Sequence, residues 1–325
     1  MGYFIALLMK KWFRWLLIVI LLLVVSVYIF IPSKLVLSSS FVLLNSPAAV
    51  SRGLLDDSKW PVWWPIEDSP ARNTRIASNE FHLDRNKYLV AEKLYRGLEI
   101  QVESPHTQTN SKLYLIPLPV DSVAVKWQCP IKTSLNPVTR FMQYREALVL
   151  KQDMDLIMNN LNSFFQKTEN IYNISIQRTM VVDTVLVASK ILTNHYPTVA
   201  EIYNLVKAIR AYVLQQHGVE TNPPMLNVTV VDSTHFETMA AIPVNRLLPE
   251  IRGFYQKKLP RGYLLTTQVR GGNASIQEAL KELRNYISDY QKTAMAIPFQ
   301  SLITERISER DTSKWVTGLY FPIMR

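Results

Sequence analysis

Ser275 to Tyr290 reads SIQEALKELRNYISDY, and its apolar positions are Ile276, Ala279, Leu280, Leu283, Tyr286 and Ile287. Those offsets trace one face of an amphipathic helix. Glu201 to Gln215 repeats them, with Ile202, Leu205, Val206, Ile209, Tyr212 and Val213 in the matching places. Each helix follows an apolar strand-like run, TVLVASKIL at 184–192 or GYLLTTQV at 262–269. Each precedes a later strand phrase that closes around a proline, AAIPV at 240–244 or LYFPI at 319–323. The C-terminal half therefore reads as two copies of one strand–helix–strand–strand unit, about 184–244 and 262–323, and the chain as an α+β protein. Two such units side by side bury apolar surface and leave a groove between them.

At the other end, Phe13 to Ile31 reads FRWLLIVILLLVVSVYIFI, with Arg14 as its one charge. At about 1.5 Å per residue this run spans roughly 28 Å, close to the core of a bilayer. Trp12 and Trp15 stand at one end and Tyr28 near the other, where interfacial aromatics are expected. Lys10, Lys11 and Arg14 flank the N-terminal end, and Lys34 alone flanks the other closely. The pattern predicts a transmembrane helix within residues 1–33. The expected topology is single-pass in a bacterial inner membrane, with a cytoplasmic N-terminus and the soluble domains outside. A cleaved signal peptide would have a shorter apolar region and a small-residue cleavage site, whereas this run ends in Ile31-Pro32-Ser33-Lys34.

The 325-residue chain carries 36 Lys and Arg against 26 Asp and Glu, and 48% of it is hydrophobic. It is long enough for two domains beyond the helix and apolar enough to pack them. The basic residues are dispersed and broken by acids rather than clustered with aromatics, so no nucleic-acid partner is expected. The excess reads first as a solvated basic surface; attraction to anionic headgroups is the other reading and fits an anchored chain. Cys129 is the single cysteine; it allows no intramolecular disulfide and reads as a buried structural thiol. His82 and His106 fall among polar residues, and His195, His217 and His235 lack metal-ligand spacing. No metal or cofactor is expected. Gly271-Gly272 lacks a phosphate-loop context and reads as a turn.

Between anchor and repeat, residues 34–174 form a region of their own. Lys34 to Leu44 alternates loosely as a strand, and Asn45-Ser46-Pro47 opens a helix. DDSKWPVWWPIE then places Trp60, Trp63 and Trp64 close together. Strands are predicted at 87–95, 98–103, 112–117 and 122–128. A long helix is predicted over 153–172, with Met154, Ile157, Leu161, Phe164, Phe165 and Thr168 on one face. Ser39 to Asn45, Pro47, Asp56, Trp60 and Trp63 or Trp64 together resemble the opening of the SRPBCC superfamily, the START-like or polyketide-cyclase-like helix-grip fold. The resemblance implies a cavity between sheet and long helix, suited to an apolar ligand and lined by Trp60, Trp63 or Trp64 with Phe164 or Phe165. Read from the residues alone, the same aromatics are core filling first.

Residues 175–325 resemble the GyrI-like domain, the effector-binding module of AraC-type and MerR-type regulators. YLLTTQVRGG, SIQEALKELRNYI and DTSKWVTGLYFPI carry the likeness. It implies a groove for small, often cationic or amphipathic molecules, with an acid at its floor in a P-x-x-E-x-Y-like phrase. Ile297 to Leu302 is the nearest phrase here, and it sets Gln300 in the place of the acid and Leu302 in that of the tyrosine. Glutamine carries no charge to hold a cation or activate water. Glu305 and Glu309 read as exposed hairpin residues. Tyr263, Trp315 and Tyr320 are further groove candidates, with cation–π attraction of about 0.5–2 kcal/mol, or else core residues bridging the two units. Regulators with this module attach it to a helix-turn-helix domain; here a transmembrane stretch and a START-like region stand in that place. The expected function is a membrane-anchored binding protein for an amphipathic or apolar small molecule, as sensor or carrier. The alternatives are a cyclase- or hydrolase-like enzyme using one cavity, and a protein-interaction scaffold. No catalytic constellation stands out.

Overall fold

The computed structural model describes residues 2–65, 79–182 and 184–324, with side chains from Trp12 onward. The side chains of Lys10 and Lys11, and Ile66-Glu67 at the end of the tryptophan-rich stretch, lie outside the described residues. The chain divides into two compact units, Met1–Lys167 and Thr168–Arg325.

The first unit begins with helix α1 (Gly2–Phe30). Its segment Trp12–Phe30 has a mean hydropathy of 2.6 and is the one described helix long and apolar enough to cross a membrane. Among the described residues six strands follow: β1 (Lys34–Leu43), β2 (Glu80–Leu83), β3 (Asn86–Leu94), β4 (Gly97–Ser104), β5 (Thr107–Leu118) and β6 (Ser122–Lys132). They form an antiparallel sheet in the order β1-β6-β5-β4-β3-β2. The first strand returns to pair with the last, Lys34 opposite Lys132 and Leu43 opposite Val123. Helix α2 (Pro47–Leu55) starts where predicted: the Ser46 hydroxyl accepts the Ala48 N–H at 3.3 Å, and Pro47 fills the first position. It packs on β4, β5 and β6. The short helix α3 (Trp60–Trp63) packs on the long helix α4 (Pro137–Phe165), which lies along β1.

The long helix differs from the sequence reading at both ends. It begins at Pro137, where the Asn136 side chain accepts the N–H groups of Val138 and Thr139 at 2.9 and 3.3 Å. It stops at Phe165, and Thr168–Tyr172 is a separate short helix, α5. The early turns were hidden because their inward positions include Arg140 and Gln143, so an apolar count does not register them.

The second unit contains α5, then β7 (Gln177–Met180), β8 (Val185–Thr193), α6 (Val199–Gln215), β9 (Met225–Val230) and β10 (Phe236–Pro243). After these come β11 (Tyr255–Lys258), β12 (Tyr263–Arg270), α7 (Asn273–Asp289), β13 (Phe299–Leu302) and β14 (Val316–Ile323). The eight strands form one antiparallel sheet in the order β11-β8-β10-β9-β13-β14-β12-β7. Both long helices have 17 residues. Helix α6 buries Ile202, Leu205, Val206 and Ile209 against Val187, Leu226, Ala240 and Ile242. Helix α7 buries Ile276, Ala279, Leu280 and Leu283 against Leu265, Leu319 and Phe321. Register puts both helices on one face of the sheet, because Leu226 stands opposite Gln300 and Gln300 opposite Leu319.

The two helices start differently. Thr198 and Glu201 close a capping box on α6, whereas Gly272 caps α7 with no side-chain bond. Gly271 turns the chain there with φ +125, a conformation that disfavours any side chain.

Candidate functional site

The central strands of the second unit explain its main cleft. Helix α6 packs on β8 and β10, and helix α7 on β12 and β14. Strands β9 and β13 meet in the middle of the sheet with no helix of their own, joined at Gln300–Leu226 and Ser301–Met225. The gap above them is a cleft of about 620 Å³. Its floor includes Leu226, Val228 and Gln300; Tyr196 and Phe236 contribute from the α6 side, and Asn273, Gln277, Leu280 and Arg284 from α7.

The polar groups of the cleft are partly tied together. Tyr196 donates to Asn273 Oδ1 at 3.1 Å, which links the approach to α6 with the first turn of α7. Asn227 Nδ2 donates to the Pro298 carbonyl at 2.8 Å and holds β9 to the segment before β13. Gln300 is only 6% exposed and turns its side chain to the helix-covered face. Burial pushes the Tyr196 hydroxyl above the ordinary tyrosine value, and the nearby charge of Arg306 with the Gln277 and Gln300 side chains draws it part of the way back. Among the described residues the lining contains one charged side chain, Arg284, and no carboxylate or histidine.

Arg306 lies outside the lining of this cleft, on the same face of the sheet and near enough to Tyr196 for its charge to act on that hydroxyl. Its guanidinium donates from Nη2 to the Thr317 hydroxyl at 2.9 Å, and its backbone N–H donates to the Tyr203 hydroxyl at 2.8 Å. Its guanidinium carbon lies 4.9 Å from the centre of the Trp315 ring. Thr317 pairs with Leu302, two residues along β13 from Gln300. Residues two apart on a strand share a face and lie about 7 Å apart. The side chain is 7% exposed, its Nε finds no acceptor, and no carboxylate of the described residues reaches it. Burial lowers its pKa from the ordinary arginine value, yet a guanidinium stays charged near neutrality.

The four residues expected in this groove do not converge. Gln300 lines it. Trp315 stacks on Arg306 behind it and donates from Nε1 to the Glu309 carbonyl at 2.8 Å. Tyr263 lies at the far side of α7, with the Arg178 guanidinium carbon 3.6 Å from its ring centre. Tyr320 faces the other side of the sheet, because it neighbours inward-facing Leu319 and side chains alternate. There it stacks on Phe299 at 5.1 Å and lines a second cleft of about 350 Å³ with Met225, Leu264 and Ser301. Glu305 is exposed and lies 3.6 Å from Arg210, and Glu309 accepts the Asp311 N–H at 2.9 Å. Neither lines the main cleft.

In the first unit the expected ligand aromatics sit in the core. Trp60, Trp63, Trp64 and Phe164 are all buried. Trp64 stacks on Phe81 at 4.5 Å and meets Trp63, Tyr88 and Trp127 at 5.0–6.3 Å. Phe164 meets Phe165 edge-on at 5.1 Å. Cys129 is buried, and that burial pushes its thiol up to about 12. No described cluster of His, Cys, Asp or Glu has metal-binding geometry.

Among the residues that sequence reasoning missed are Tyr196 and Arg284 in the cleft lining and Arg306 outside it. Arg284 had a signal: Asn273, Gln277, Leu280 and Arg284 follow a four-three-four spacing on one side of α7, beside its apolar stripe. Arg306 had none, because SLITERISER reads as a solvated loop.

No protein family matches the chain, and no curated protein does. Among solved structures, the EcmrR C-terminal domain aligns with 14% identity and a TM-score of 0.41, over 47% of this chain and 98% of that one. SAV2435 bound to tetraphenylphosphonium aligns with 14% identity and a TM-score of 0.31, over 46% and 93%. A START superfamily protein from Mycobacterium smegmatis aligns with 12% identity and a TM-score of 0.25, over 37% and 94%.

Proposed function

We propose that this chain is a membrane-anchored protein that binds a small amphipathic molecule in the cleft between α6 and α7, as a sensor or carrier. The observation that carries the reading is the gap between α6 and α7 above the central strands, β9 and β13. They leave about 620 Å³ between two helices, with an apolar floor and a few placed polar groups. That volume falls within the roughly 300–1,000 Å³ of small-molecule sites. On this reading the second unit is a duplicated GyrI-like module and the first a START-like helix-grip domain whose tryptophans serve as core. Segment Trp12–Phe30 would be the bilayer anchor, with the N-terminus in the cytoplasm. The cleft lining offers no acid or base, so binding is favoured over hydrolysis.

The test is a thermal-shift screen of amphiphiles on the full chain in nonionic detergent. A ligand at about 100 times its dissociation constant adds about 2.7 kcal/mol of stability. Leu280→Trp, which fills the cleft from α7, removes that shift. A broad screen without any stabilisation overturns the reading. Protease accessibility in intact and permeabilised cells tests the anchor: residues beyond 33 are cut only once the outer barrier is opened. Protection that persists until the inner membrane is broken reverses the orientation.

A further inference from the structure

We propose that the cleft selects amphipathic anions, with Arg306 as the buried countercharge and Arg284 as the charge at the rim. The inference rests on the binding reading above and names the chemical class of the ligand. Arg306 is a nine-tenths buried cation beside the cleft, held by the Thr317 hydroxyl and the Trp315 face and by no described carboxylate. A buried charge without an opposite charge is costly, and side chains of this kind are paired or neutralised as a rule. The surrounding titratable groups are Tyr203 from α6 and Tyr196 at the cleft wall, both phenols and both neutral near pH 7. Glu305, the residue next to Arg306, is exposed and lies 3.6 Å from Arg210. Among the described residues no opposite charge compensates Arg306, whose field reaches the cleft wall at Tyr196.

Three other features favour the same sign. Arg284 lines the cleft and makes no described ion pair. Asn273 and Gln277 line it from the first turns of α7, the helix whose N-terminus lacks a side-chain cap, and that end carries the positive pole of the helix dipole. Gln300 occupies the floor without a negative charge of its own. The rest of the lining, Leu226, Val228, Phe236 and Leu280 among it, suits an apolar body. An apolar molecule bearing one sulfonate, carboxylate or phosphate group matches both parts, and its charged hydrogen bonds would be stronger than neutral ones.

The test compares three probes with one ring body: naphthalene-2-sulfonate, 2-naphthalenemethanol and 2-naphthylmethylammonium. Calorimetric titration of the full chain in nonionic detergent, with protein-free micelles as blank, gives the three affinities. Inorganic sulfate serves as the charge without the body. The sulfonate is expected to bind about tenfold or more tighter than the alcohol, the scale of one charge-assisted hydrogen bond, and the ammonium and sulfate weakest. Arg284→Gln, an exposed change that leaves the core intact, should weaken the sulfonate several-fold more than the alcohol. Gln300→Glu should reverse the order of sulfonate and ammonium. Arg306→Met, if it folds by circular dichroism, should remove the preference for the sulfonate.

Alcohol or ammonium binding as tightly as the sulfonate overturns the anion selectivity and leaves the cleft as a binding site. Sulfate binding as tightly overturns the amphipathic part. Sulfonate affinity unmoved by both Arg284→Gln and Gln300→Glu overturns the assignment to these residues. Failure of all three naphthalene probes overturns the proposal; only when the amphiphile screen is also silent does the binding reading beneath it fall.

Discussion

Arg140 donates from Nε to the carbonyl oxygen of Ile31 at 3.0 Å, and its guanidinium carbon lies 4.9 Å from the centre of the Tyr28 ring. A second donation, from Nη2, goes to the same oxygen. The last carbonyls of a helix lack partners within it, and a cation there also complements the helix dipole. Arg140 therefore fastens the end of α1 to the start of α4, with the Tyr28 hydroxyl donating to the Leu135 carbonyl beside it. Arg140→Ala should destabilise the full chain in detergent by about 1.5–3 kcal/mol, the usual range for a hydrogen bond to a charged group. Arg140→Lys should recover little of it, since an ammonium neither forks onto one carbonyl nor stacks in the same way. Chemical denaturation measures both; a change below about 0.5 kcal/mol, the level of an ordinary surface substitution, would show that the tie contributes nothing.

The tryptophans should respond unequally. Trp60 donates from Nε1 to the Leu54 carbonyl at 2.8 Å, whereas the buried Nε1 groups of Trp63 and Trp64 have no acceptor. Trp60→Phe leaves a carbonyl unpaired, and Trp64→Phe removes a group that was already unpaired. Both lose ring volume. Trp60→Phe should therefore cost about 1 kcal/mol more than Trp64→Phe, the typical worth of one such bond. Urea unfolding of the two variants decides it, and equal losses would refute the pairing argument.

Much of this arrangement is legible in the sequence where inward residues are uniformly apolar. Ile276 to Ile287 marks α7 almost to its ends, and the Ser46-Pro47 start of α2 needs only local chemistry. Legibility fails where polar side chains face inward. Arg140 and Gln143 conceal the first turns of α4. Gln300 and Ser301 make β13 a four-residue strand with little apolar signature, although its pairing with β9 creates the cleft. Tyr320 goes to the opposite face through strand alternation, which a one-residue error in register inverts. Arg306 enters the picture only when a loop folds between Tyr203 and Thr317, residues far from it in one case and on the returning strand in the other.

Cys129 should be silent to thiol reagents in the folded chain. Its thiol is buried in β6, and that burial raises it to about 12. The thiolate is the reactive form, so a native sample at pH 8 should resist 5,5′-dithiobis(2-nitrobenzoate) and react readily in guanidinium. The sign for stability follows. The folded value lies above the unfolded one of about 8.5, so the stabilising contribution is complete below about pH 8.5 and is lost as pH rises towards 12. Cys129→Ala should flatten that alkaline decline. Rapid labelling of the native chain at pH 8, with no loss of circular dichroism, would contradict the burial.

Gly97 is the position where the first sheet tolerates least. It opens β4 and pairs with Tyr114 on β5. A Cβ placed there would stand 2.2 Å from the Leu113 carbonyl oxygen and 3.0 Å from the Tyr114 Cα, both backbone atoms that move only if the strand moves. Gly97→Ala should therefore cost about 2–3 kcal/mol or more, at the upper end of overpacking effects. Gly262→Ala is the control: the nearest atom to its added Cβ is the Met295 sulfur at 3.4 Å, an ordinary contact with a flexible side chain. That variant should differ little from the parent. Thermal unfolding of the two, followed by far-ultraviolet circular dichroism in the same detergent, makes the comparison. If Gly97→Ala melts with the parent, the close approach of β4 to β5 at this residue is wrong.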